Sequence, residues 1–103
     1  MIAQMFPRRK VDETEIRRQF NERRLWEQAQ TGQLTQHLRK DRHPNPPLVT
    51  EALCTRSQLV QYVDCHGRLV ALVHQYMRQD GKLGASGRPD PKLLLDSSEV
   101  LYV

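Results

Sequence analysis

Gln58-Leu59-Val60-Gln61-Tyr62-Val63, then Asp64-Cys65-His66-Gly67, then a return through Arg68-Leu69-Val70-Ala71-Leu72-Val73-His74-Gln75-Tyr76-Met77-Arg78 is the stretch that decides the fold. The first run is rich in residues that suit a pleated surface, and the second ends it with a turn in which Gly67 takes the left-handed position. Residues 68–78 then form the return strand of a hairpin. Their alternate members are Leu69, Ala71, Val73, Gln75 and Met77 on one face and Val70, Leu72, His74, Tyr76 and Arg78 on the other. Both faces are apolar as far as Val73, which predicts a central strand covered on each side. Beyond it the second face turns polar.

Working outward, residues 99–103 read as a short last strand, and residues 12–31 read as a helix. Asp12 is placed to cap the first turn, Glu15 stands at the capping-box position three residues later, and Gly32 supplies a stop. At 100° per residue Ile16 and Phe20 share one stripe while Leu25, Trp26 and Ala29 fall on the opposite side. Either the helix breaks near Asn21 or its two ends pack on different surfaces. Residues 33–50, with Pro44, Pro46 and Pro47, read as a Pro-rich connector, and residues 1–10 as a flexible tail. The expected fold is therefore α+β: one N-terminal helix packed on a three-stranded antiparallel meander, with a long Gly/Pro loop before the last strand.

At 103 residues and 38% hydrophobic content, the chain has the length of one small domain. Its longest apolar run, Leu69 to Val73, is far shorter than the ~20 residues of a membrane span, and no secretory leader is visible. Two cysteines are too few for a disulfide scaffold, which points to a reducing cytoplasm. The formal charge of +4 lies wholly in residues 1–48, where ten basic residues face six acids; residues 49–103 carry six of each. Such asymmetry points to an anionic partner for the first half.

Arg17, Arg18, Arg23 and Arg24 form two doublets spaced to straddle phosphates along a helix. In the 80–92 loop, three glycines and a serine allow backbone amides to approach an anion, and Lys82, Arg88 and Lys92 add charge. His74, Tyr76 and Arg78 project at period two and are expected to converge on one ligand. Trp26 and Tyr76 are candidates for an interaction surface. His74, near neutrality in its ordinary titration, is the one catalytic candidate, with Tyr76, Arg78 and Lys92 as helpers. The loop lacks the Gly-Lys-Ser/Thr ending of a P-loop. Cys54, Cys65, His66 and His74 match no familiar zinc spacing, and His37 and His43 read as solvated. No metal or cofactor is implied.

The string Val73-His74-Gln75-Tyr76-Met77-Arg78-Gln79-Asp80-Gly81, continued by Leu83-Gly84-Ala85-Ser86-Gly87-Arg88-Pro89-Asp90-Pro91-Lys92, resembles one found in a family of small bacterial and phage-type open reading frames. The resemblance implies a bacterial or mobile-element origin and brings no activity or site with it. The residues themselves point first to a non-enzymatic module that binds nucleic acid through residues 17, 18, 23, 24, 78, 82, 88 and 92. A homodimer that buries the second stripe of the helix is the alternative. A small metal-independent ribonuclease or toxin-like enzyme built on His74 is the third.

Overall fold

The computed structural model describes residues 6–43 and 51–103. In chain order these form β1 (Arg8–Lys10), α1 (Glu13–Glu22), α2 (Leu25–Gln30), β2 (Thr35–Arg42), β3 (Arg56–Val63), β4 (Leu69–Met77), β5 (Asp90–Leu95) and β6 (Val100–Tyr102). The strands make one six-stranded sheet in the order β1-β6-β5-β4-β3-β2. Neighbours are antiparallel except β1 and β6, which run parallel with Arg9 opposite Leu101. The expected three-stranded meander with a single helix is thus corrected to a six-stranded mixed sheet with two short helices. The chain starts on one edge, crosses one face through the helices, and then zigzags back from the other edge until β6 lies beside β1.

The β3–β4 hairpin follows from alternation. Val60 and Tyr62 on β3 and Ala71 and Val73 on β4 are buried, and their neighbours Leu59, Gln61, Leu72 and His74 are only partly so. Val60 sits opposite Val73. The turn closes as its residues require: Asp64 Oδ1 accepts from the His66 and Arg68 amides at 2.9 and 3.0 Å, and Gly67 has φ +77°.

The helix is capped by Asp12, whose Oδ1 accepts from the Glu15 amide at 2.8 Å. The Glu15 side chain does not return to the cap; Arg18 and Gln19 hold it instead. The break falls at Arg24, which adopts left-handed φ 53° and ψ 43° between α1 and α2. This rotates Leu25 and Ala29 into the same core as Ile16, Phe20, Leu34, Val60, Tyr62, Val73, Leu94 and Leu101. The opposed stripes therefore meet in one core, and the motive for burying the second stripe in a dimer disappears.

Three strands lie where none was expected. β1 occupies part of the presumed tail, and β2 part of the presumed connector. Every residue of β2 is exposed; it is an edge strand held by backbone pairing to β3, with a bulge at Arg39. Polar, charged side chains suit such an edge. β5 begins inside the presumed loop, where Asp90-Pro91 argues against a strand. The missing amide of Pro91 is tolerated because Pro91 pairs with Val73 of β4 on one side, while β6 pairs only with Leu93–Leu95. The part of the expected connector that holds Pro44, Pro46 and Pro47, and residues 1–5 of the expected tail, lie outside the described residues.

A second correction concerns the sheet faces. Both helices pack on the face that carries Val60, Tyr62, Ala71, Val73, Leu94 and Leu101. Among the described residues no helix or strand crosses the opposite face. β4 is central, but the described helices cover it on one side only.

Candidate functional site

The open face is ordered by strand register. Across one row run His37, Gln61, Leu72, Leu93, Tyr102 and Lys10. The next row holds Lys40, Leu59, His74 and Asp90, and the one beyond it Arg42, Ser57 and Tyr76. On the far side Arg8 pairs with Val100, which pairs with Leu95. Aliphatic and aromatic groups therefore fill the middle, and Arg8, Lys10, Lys40 and Arg42 stand on the two rims. Among the described residues these four make no ion pair.

His74 and Tyr76 meet edge to face, with ring centroids 4.8 Å apart. His74 Nε2 is 2.7 Å from Ser57 Oγ on the adjacent strand. Burial, helped by the neighbouring Lys92 ammonium, lowers the His74 pKa below its ordinary 6.5, and Asp90 opposes this only in part. Both influences favour the neutral imidazole, which offers a flat ring and one donor rather than a cation.

Next to these rings lies a cleft of about 650 Å³ between α1, the end of β4 and the 84–91 segment. Arg17 and Phe20 form one wall, His74 and Tyr76 another, and Arg88, Asp90 and Lys92 a third. Asp90 binds two cations from different elements: Arg17 Nε at 3.0 Å on Oδ1 and Lys92 Nζ at 2.8 Å on Oδ2. Burial pushes the Asp90 carboxyl up, but the two cations outweigh it and hold the group below the usual range. Arg88 reaches across to α1 and α2. It bonds Asn21 Oδ1 at 3.0 Å and Glu27 Oε1 at 3.2 Å, and lies over the Trp26 ring, 4.6 Å from its centroid.

Of the residues expected to act together, the cleft unites Arg17, His74, Tyr76, Arg88 and Lys92. The others disperse. Arg18 is clamped between Glu15 and Glu22 on the solvent side of α1. Arg23 donates to the Leu95 carbonyl at 2.9 Å, and Arg24 forms the helix junction. Arg78 leaves His74 and Tyr76 for Glu51, with Nε to Oε1 at 2.8 Å. Glu51 also accepts from the Ala85 amide, and any side chain at Gly84 would run into its carboxylate. Lys82 sits in the exposed turn that follows Arg78, and Trp26 is half-buried against the core beneath Arg88. Cys54 and Cys65 are free, exposed, and at opposite ends of β3.

Sequence reasoning missed Lys40, Arg42, Asp90 and Phe20. Lys40 and Arg42 are two apart, which puts both on one face of any strand, but that signal appears only once residues 35–42 are read as extended. No family model, no curated protein and no solved structure matches the chain. No helix among the described residues is long and apolar enough to cross a membrane.

Proposed function

We propose that the protein is a non-enzymatic module that binds single-stranded nucleic acid across the open face of its sheet. One observation carries this: rows that run from a cation through an aliphatic or small residue to a ring, Lys40–Leu59–His74 and Arg42–Ser57–Tyr76, on a face that no described element covers. Single strands are bound where bases stack on rings while flanking cations follow the phosphates. A duplex hides the faces of its bases and has nothing to stack on such a surface. Lys10 and Arg8 on the other rim extend the charged border. The free cysteines Cys54 and Cys65 support action in a reducing compartment such as the cytoplasm.

Fluorescence anisotropy with a labelled mixed-sequence single strand and its duplex tests this. The single strand should bind at least tenfold more tightly than the duplex, and Tyr76→Ala should weaken it. Equal affinity for both forms, or full binding by a Lys40→Glu/Arg42→Glu double variant, would refute the assignment.

A further inference from the structure

We propose that the cleft beside Asp90 is a second site, which takes the phosphomonoester and base of a nucleotide, and that the Asp90 carboxylate holds the place of that phosphate between Arg17 and Lys92. This goes beyond binding on the open face: the two share the rings of His74 and Tyr76, but the cations of the cleft are other residues than Lys40 and Arg42.

The argument starts from the donors. Arg17 comes from α1 and Lys92 from the bulge of β5, yet both converge on one carboxylate at 3.0 and 2.8 Å. A guanidinium and an ammonium arranged around one oxygen pair also suit a phosphate, which brings more acceptor oxygens and, as a monoester, nearly two charges. Arg88, the third cation of the cleft, is half exposed and held across it by Glu27 and Asn21. The remaining wall is of another kind: His74 and Tyr76, both partly exposed, offer aromatic surface to a flat ring. About 650 Å³ lies inside the ~300–1,000 Å³ range of small-ligand sites. A cationic end and an aromatic end in one cleft define a nucleotide rather than a bare anion.

The internal anion gives the test its sign. If Asp90 competes with the phosphate, Asp90→Asn frees Lys92 and leaves Arg17 with Glu13, 3.2 Å from its Nη2, as its remaining acid, and should tighten the binding of AMP about three- to tenfold. If Asp90 is instead an acceptor for the ligand, or the cleft is empty of function, the same change will weaken AMP binding or leave it unaltered. Titration is followed by the emission of Trp26, the chain's single tryptophan, which Arg88 covers. Arg17→Gln and Lys92→Gln should each weaken AMP at least fivefold, and they carry the test if Asp90→Asn does not fold. Unchanged affinity in both would overturn the site. Inorganic phosphate should bind at least tenfold more weakly than AMP; equal binding would overturn the base-binding half.

Free mononucleotides and the phosphorylated end of a strand share this chemistry. A 5′-phosphorylated oligonucleotide is therefore compared with its 5′-hydroxyl form in the Lys40→Glu/Arg42→Glu background, where the open face is disabled. A phosphate-dependent gain assigns the site to strand ends. AMP binding without that gain assigns it to free nucleotides. Failure on the open face leaves the AMP result standing, so the two assignments fail separately.

Discussion

The guanidinium of Arg88 lies 4.6 Å from the centroid of the Trp26 ring and ties the 84–91 segment to the helices on the covered side of the sheet. It also bonds Asn21 and Glu27. A cation over a half-buried indole, with the cation itself in reach of water, contributes about 0.5–1 kcal/mol. Arg88→Ala should lower stability by about that amount and shift the Trp26 emission to longer wavelength as water reaches the ring. Arg88→Lys, which keeps the charge but not the planar stack, should fall between. An unchanged emission spectrum in Arg88→Ala would show that the stack does not shield Trp26.

Arg24 decides whether the helical segment has one core or two. Its left-handed backbone costs an L-residue about 1–2 kcal/mol, while glycine pays part of that back as extra freedom in the unfolded chain. Arg24→Gly should therefore stabilise by about 0.5–1 kcal/mol in urea denaturation. Leu25, turned inward by this junction, is 3% exposed, whereas Leu38 on the edge strand is 53% exposed. Leu25→Ala should cost about 2–5 kcal/mol, and Leu38→Ala no more than about 0.5. Comparable losses at the two positions would contradict the break in the helix.

How far the sequence discloses the fold depends on where each element finds its stabilisation. The β3–β4 hairpin is legible because Val60, Tyr62, Ala71 and Val73 alternate and Gly67 closes the turn. The start of α1 is legible because Asp12 caps it locally. β2 is not, since its only apolar residue is the exposed Leu38 and its partner is the backbone of β3. β1 gives no signal for the same reason: its three exposed residues pair with β6 from the opposite end of the chain. Apolar residues on both sides of β4 suggested two covers, yet Val70, at the register shift, packs against the core and Leu72 remains half-buried on the open face. The cleft was half legible. Arg88, Lys92, His74 and Tyr76 stand out by type and spacing, whereas the pairing of Arg17 with Asp90 joins residues 73 positions apart.

His74 makes stability depend on pH in a definite direction. Burial and Lys92 lower its pKa in the folded protein, so the unfolded chain takes up a proton first as pH falls below the ordinary 6.5. The folded state then loses stability down to its own lower pKa, at no more than about 1.4 kcal/mol per pH unit for one proton. Above 6.5 this contribution is fully present. The groups that face His74 are Lys92, which deepens the effect, and Asp90, which opposes it and stays ionised through this range. His74→Gln retains a side chain able to bond Ser57 and removes the titration. Urea denaturation at pH 7 and pH 5.5 should show a smaller difference in the variant than in the parent. The same difference in both would mean that another group governs the acid limb.

The rims of the open face set the salt dependence of strand binding. Each phosphate neutralised on a single strand releases counterions and contributes ~0.7 to the slope of log affinity against log salt. Lys40 and Arg42 are exposed and, among the described residues, unpaired, so neither is diverted by a protein acid. Lys40→Ala/Arg42→Ala should reduce that slope by about 1.4 between roughly 50 and 200 mM salt. Arg18→Ala serves as the control: Arg18 is held by Glu15 and Glu22 on the opposite side of the molecule and should leave the slope unchanged. The contrast separates contact from net charge. If both variants lower the slope in proportion to the charge removed, the strand responds to the field of the whole protein and the ordered rows of the sheet do not guide it.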